Sequence, residues 1–125
     1  CAIHPTAKVA DSSSIGEGCI IGIDCIVSVN VSIGSHVFLN MRTVLGHDVI
    51  IGDYCTCLVN CVAAGHVTVG KGSVLGSGCI IMEKRTIGEW ARVGMGSLVC
   101  FDVQDGHVVM SRPSKSMYFG KDKRD

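Results

Sequence analysis

The stretch Ile33-Gly34-Ser35-His36-Val37-Phe38-Leu39-Asn40-Met41-Arg42-Thr43-Val44-Leu45-Gly46-His47-Asp48-Val49-Ile50-Ile51-Gly52 opens and closes on the same dipeptide, 18 residues apart. Leu39 and Leu45 divide that interval into three steps of six. The dipeptide recurs in both directions, as Ile15-Gly16, Ile33-Gly34, Ile51-Gly52, Val69-Gly70 and Ile87-Gly88. A fixed short period is the signature of a solenoid. Counted in sixes from Ile3 to Val99, all 17 first positions are apolar, and no insertion breaks the phase. The second position holds nine of the 16 glycines. The fifth is small or β-branched in 16 of 17 hexads, with Arg85 the exception.

A helix of 3.6 residues per turn cannot hold a strict six-residue phase. Three hexads instead make one triangular coil, with the first and fifth positions inward and glycine at tight corners. Coils stack at about 4.8 Å, the strand spacing of a sheet. The expected fold is all-β: a triangular β-solenoid of about six coils over residues 1–104. Pro5 and Pro113 lie at its margins, where they break no interior ladder. Residues 105–125 leave the phase and are expected to cap the open end, since an uncovered coil invites aggregation. They include Tyr118, Phe119 and the charged end Lys121-Asp122-Lys123-Arg124-Asp125.

Composition narrows the function classes. The 125 residues are 47% apolar and 5% aromatic, which excludes a disordered charged segment. Eleven basic and eleven acidic residues cancel, so no basic surface for nucleic acid or membrane is expected. No apolar run approaches ~18 residues, the length of a membrane-spanning helix. Cys1-Ala2-Ile3-His4-Pro5 has neither the basic start nor the apolar stretch of a signal peptide. A start at Cys1 rather than Met fits a piece of a longer protein. The eight cysteines fall mostly on the structural repeat, which reads as reduced thiols in a cytoplasmic protein rather than a disulfide framework.

Candidate chemistry centres on Leu45-Gly46-His47-Asp48 and Ala63-Ala64-Gly65-His66. His47 holds a third position, expected to point outward on a flat face, and Gly65 stacks beside it one coil later. An imidazole is a natural general base near neutral pH. A bare glycine lets a ligand approach its N–H, a potential oxyanion donor. The spacing equally fits a surface histidine beside a structural glycine. Asp48 orients His47 or caps a turn, and Asp53 is the other candidate carboxylate. Cys55, Cys57 and Cys61 mimic a metal ligand set, but their inward positions read as core packing. Neither a cysteine nucleophile nor a metal is expected. Arg85, with Glu83 and Lys84, either turns outward towards a phosphate or forms a charged loop.

The hexads over residues 3–104 resemble those of the left-handed parallel β-helix acyltransferases. Left-handedness is implied by that resemblance alone, because parallel crossovers are ordinarily right-handed. Gly46-His47-Asp48 followed by Ala64-Gly65-His66 resembles two groups within it: the NeuD/PglD-type sugar acetyltransferases and the LpxA-type UDP-sugar acyltransferases. The resemblance implies His47 as base, with Asp48 raising its basicity. It implies a backbone N–H at Gly65 on the acetyl thioester, and backbone contacts from Ser77 and Met95 to the pantetheine arm. Asn40 and His66 are the implied acceptor-binding residues. Thr56 departs from a histidine of the family, and Ser111-Arg112-Pro113-Ser114-Lys115 resembles its Gly-x-Pro-Ala-Lys exit motif, matching at Pro113 and Lys115 and departing at Ser111 and Ser114.

The implied activity is acetyl transfer from acetyl-CoA to a sugar, either a sialic acid hydroxyl or a nucleotide-linked amino sugar. The implied assembly is a homotrimer with sites between subunits. NeuD/PglD-type enzymes usually carry an N-terminal α/β domain that is not in this sequence. LpxA-type enzymes, which use acyl carrier protein, carry a helical C-terminal domain that 21 residues cannot supply. A non-catalytic trimerisation module is the alternative from another class.

Overall fold

Each hexad folds as two extended residues and a corner. In the computed structural model, which describes residues 1–118 and 120, strands Ala2–Ile3, Lys8–Val9 and Ser14–Ile15 begin a series that repeats every six residues to Leu98–Val99. Among the described residues, Val108–Val109 is the last strand. The strands form three parallel sheets of seven, six and five, and up to Val99 each residue pairs with the one 18 later, as in Ile20↔Phe38, Ile26↔Val44 and Ser32↔Ile50. The fold is a left-handed parallel β-helix of about six turns.

From Cys19 onward the inward positions behave as the repeat predicts, Arg85 excepted. Ile21, Leu39, Leu45, Ile51, Leu75, Ile81 and Ile87 fill the centre from first positions. Cys19, Cys25, Cys55, Cys61 and Cys79 occupy fifth positions and are buried with them. The thiols also answer backbone groups. Cys55 donates to the Gly70 carbonyl and Cys61 to the Gly76 carbonyl, each in the next coil. Second-position glycines mark where coils press together: a Cβ on Gly76 would lie 2.6 Å from the Met95 nitrogen.

The third and fourth positions form the corners. Fourth residues take the left-handed conformation, including Asp48 (φ 60), Tyr54 (φ 61), His66 (φ 61) and Trp90 (φ 55). His47 therefore sits in a turn and not on a flat face as expected. Three rows of corner residues run along the prism. One carries Val29, His47, Gly65 and Glu83; a second Ile23, Met41, Ser77 and Met95; a third His36, Tyr54, Gly72 and Trp90. The six-stranded sheet lies between the first two rows, and the five-stranded sheet between the first and third.

Near the C-terminal end the phase slips. Ile81 pairs with Val99 at 18 residues, but Ile87 pairs with Val103 and Val93 with Val109 at 16. One side has lost two residues, and strand pairing continues past residue 104. The slip moves Val103 from above Arg85 to above Ile87. Arg85 is then 39% exposed and approaches Asp102 at 3.9 Å, so its inward register is not realised. Residues 111–118 carry no strand and are exposed, and the Ser111 hydroxyl donates to the Met95 carbonyl. Phe119 and the charged end 121–125 lie outside the described residues.

Candidate active site

The corner row of His47 gathers the chemistry. Adjacent strand residues point to opposite faces. His47 and Asp48 escape that rule because Asp48 adopts φ 60, which brings both side chains to one side of the turn. Aspartate tolerates this conformation better than most residues. His47 Nδ1 lies 3.0 Å from Asp48 Oδ2. An ionised carboxylate only accepts, so in the neutral ring this contact places the proton on Nδ1 and leaves the lone pair on Nε2.

Nε2 faces Gly65. The His47 ring occupies the space where a Gly65 side chain would begin: a Cβ built there would lie 2.5 Å from Nε2 and 2.7 Å from Cε1. Among the described residues none accepts from the Gly65 N–H, whereas the Gly65 carbonyl is engaged by Lys84. The glycine thus serves two ends at once, room for the imidazole and an uncommitted donor beside it.

His66 completes the cluster. It lies 19 residues after His47, one coil and one position on, and its N–H donates to the His47 carbonyl at 2.9 Å. The two rings meet edge to face with centroids 5.0 Å apart. His66 Nε2 is 3.9 Å from the same Asp48 Oδ2. About half of each imidazole is open to solvent, so the cluster is reachable by a substrate.

The remaining predicted residues lie elsewhere on the prism. Asn40 flanks the Met41 corner and accepts the Met41 N–H at 2.7 Å. Ser77 and Met95 stack in that corner row, with the Gly96 N–H on the Ser77 carbonyl. They are separated from His47 by the width of the six-stranded sheet. Thr56 is half-buried on the seven-stranded sheet. Asp53, the alternative orienting carboxylate, accepts the Ser35 N–H at 2.8 Å in the His36 corner and does not serve His47. Among the described residues no three of the cysteines gather as a ligand set, and burial pushes the Cys55 and Cys57 thiols up, away from the thiolate that nucleophiles and metals need, while a hydrogen bond with Cys79 pushes Cys61 down.

No protein-family model matches the chain, and no curated protein matches it. Its fold has solved counterparts. The chain is similar to the acetyltransferase domain of PglB from Neisseria gonorrhoeae FA1090, solved with acetyl coenzyme A. The TM-score is 0.85 and the identity 25%, over 92% of this chain and 56% of that one. WeeI from Acinetobacter baumannii AYE matches with TM-score 0.86 and 27% identity, over 92% and 57% of the two chains. PerB from Caulobacter crescentus, solved with CoA and GDP-perosamine, matches with TM-score 0.51 and 25% identity, over 85% and 51%. The chain spans little more than half the length of the first two.

Proposed function

We propose that this chain is the β-helix portion of an acetyl-CoA-dependent sugar acetyltransferase of the NeuD/PglD type, with His47 as general base. The observation that carries the reading is the His47 ring: its Nδ1 is tied to Asp48 and its Nε2 is set against Gly65. The similarity to an acetyltransferase domain solved with acetyl coenzyme A supports the choice of donor. GDP-perosamine in PerB supports a sugar acceptor.

The acceptor is a sialic acid hydroxyl or the amine of a nucleotide-linked sugar. Nε2 of His47 takes the proton as the acceptor oxygen or nitrogen attacks the thioester carbon. Asp48 holds the ring in the productive tautomer and stabilises the imidazolium. The Gly65 N–H faces the developing oxyanion. The C–S bond then breaks, and the CoA sulfur leaves with the proton returned by His47. No covalent enzyme intermediate is needed. His66 and Asn40 contact the acceptor, and the backbone at Ser77 and Met95 follows the pantetheine arm.

Because Asn40, Ser77 and Met95 lie one sheet-width from His47, the reading places the site between subunits of a homotrimer. The outer surface supports this. Ile20, Phe38, Ile23, Met41, Ile26 and Ile80 are all exposed and form an apolar wedge around the Met41 corner. The five-stranded sheet instead presents mainly serine and threonine outward. A monomer in light scattering would remove the intersubunit site. Free thiols throughout fit a cytoplasmic setting. Among the described residues, no helix is long and apolar enough to cross a membrane.

The test is mass spectrometry of acetyl transfer from acetyl-CoA to a panel of sialic acids and UDP-amino sugars, with His47→Ala alongside. Removing a general base lowers transfer by about 10²- to 10⁴-fold. Product that survives the substitution would sink His47 as base. Absence of both product and acetyl-CoA binding would leave the trimerisation module.

A further inference from the structure

The His47 cluster has a second chemical capacity that acetyl transfer does not use. Two imidazoles and one carboxylate each offer a ligand atom within 4.8 Å of the others, and Asp48 Oδ2 lies 3.0 Å from His47 Nδ1 and 3.9 Å from His66 Nε2. We propose that His47, Asp48 and His66 form a reversible binding site for a divalent transition-metal ion of the zinc class, and that its occupancy silences the site.

The donor set argues for that class of ion. Two nitrogens and one oxygen suit zinc, copper or nickel, whereas magnesium and calcium favour all-oxygen shells. Zinc binds imidazole nitrogen at about 2.0–2.1 Å and carboxylate oxygen at about 2.0–2.2 Å, which puts tetrahedral ligand atoms about 3.3 Å apart. The observed spacings from Asp48 Oδ2, 3.0 Å to His47 and 3.9 Å to His66, bracket that value. All three side chains are 40–55% exposed, so small rotations can close the rest and the fourth position remains open to solvent. The set differs from the buried cysteines, whose sulfurs are turned into the core.

The silencing follows from the tautomer and rests on His47 as the base. In the metal-free site Nδ1 carries the proton and Nε2 the lone pair. A metal on Nδ1 takes the place of that proton, and the neutral ring must then carry its hydrogen on Nε2. The atom that would accept the acceptor's proton has become a donor, and Asp48 is diverted to the metal. Metal binding itself needs only the three ligands.

Equilibrium dialysis of the full chain against zinc, with Cys1→Ser and Cys100→Ser to remove the two exposed thiols, measures the site directly. One zinc per chain is expected, with no magnesium uptake under the same conditions. His66→Asn and Asp48→Asn each weaken zinc binding about tenfold or more, since even outer-shell changes cost 10–100-fold. Both replacements suit the left-handed turn, and circular dichroism checks that the coil persists. His36→Asn, an exposed histidine at another corner, leaves uptake unchanged. Failure to take up zinc, or uptake indifferent to both His66→Asn and Asp48→Asn, would overturn the site. Zinc bound with acetyl transfer intact would overturn the silencing, and His47→Ala assayed without zinc tells whether the base falls with it: lost transfer keeps His47 as base, retained transfer removes it. Transfer without zinc uptake would leave the proposed activity standing and the metal site refuted.

Discussion

At one corner of the prism His36 lies flat on Tyr54, ring centroids 5.5 Å apart and planes 10° from parallel. At another His47 meets His66 edge-on at 5.0 Å and 88°. The two corners share a backbone: both use left-handed fourth residues, and both set a ring against a glycine, Trp90 on Gly72 and His47 on Gly65. Both also carry an aspartate. What separates them is its place in the hexad. Asp53 stands third and turns back to cap the Ser35 N–H, as Asp105 caps the Glu89 N–H at 2.7 Å. Asp48 stands fourth, where its carboxylate faces two imidazoles. A shift of one residue along the coil turns a structural cap into a partner for a base.

The largest contrast should come from the two glycines. Gly65 has no left-handed φ, so alanine suits its backbone, and the three atoms nearest the added carbon all belong to the movable His47 ring. Gly65→Ala is expected to displace the imidazole and lower transfer about 10²-fold, the loss typical of a misplaced catalytic group, with little change in Tm. Gly72 has φ +71 and lies under Trp90. Gly72→Ala is expected to lower stability by roughly 1–2 kcal/mol through the left-handed alanine, with transfer intact. Thermal melts and mass-spectrometric turnover separate the two. Equal effects of both substitutions on turnover would break the distinction between the corners.

A smaller contrast lies in the carboxylates. Asp48→Asn removes the charge that holds the imidazolium, so kcat should fall, by less than in His47→Ala, while the KM for acetyl-CoA holds. Asp53→Ala leaves the Ser35 N–H without its acceptor, which costs about 1 kcal/mol and spares kcat. Steady-state kinetics and chemical denaturation read the pair. A drop in kcat confined to Asp53→Ala would reverse the assignment of the orienting carboxylate.

How far these residues could be read in advance follows from what a period contains. Six-residue spacing with apolar first positions fixes which side chains enter the core, and Ile21, Leu39 and Ile51 do so. It does not say which two of the remaining residues make the turn. His47 was therefore expected on a flat side, with Asp48 left as its partner or a turn cap, and the φ of Asp48 puts both on a corner. The approach of His66 was hidden in a spacing of 19, one beyond the coil length. Arg85 stood out as a misfit in an inward position, but its exit depends on the two-residue slip after Val99. Left-handedness has no local signature in the hexads and was implied by resemblance alone.

The comparison reaches inward to the residues behind each corner, where the smallest effect is expected. Behind His47, the side chains of Val49 and Val67 carry no donor, while behind the Tyr54 corner the side chains of Cys55 and Ser73 donate to the Gly70 and Gly88 carbonyls. Burial pushes Cys25, Cys55 and Cys57 above the ordinary thiol value of 9.0, and a hydrogen bond with Cys61 together with burial pushes Cys79 up. Native protein should therefore release only the Cys1 and Cys100 signals to a thiol reagent at neutral pH, and all eight after denaturation. The same shifts fix the sign of a pH effect. A thiol whose folded pKa is raised stabilises the fold fully below the unfolded value. That contribution fades as pH rises past 9.0, because the unfolded chain ionises while native Cys25, Cys55 and Cys57 keep their protons; Cys61, pushed down by its hydrogen bond with Cys79, contributes with the opposite sign. Tm should hold steady near neutrality and decline above about pH 9. A Cys55→Ser variant, which keeps the donor to Gly70 but not the thiol, should decline less steeply. Equal slopes would mean that ionisation elsewhere in the chain drives the alkaline loss.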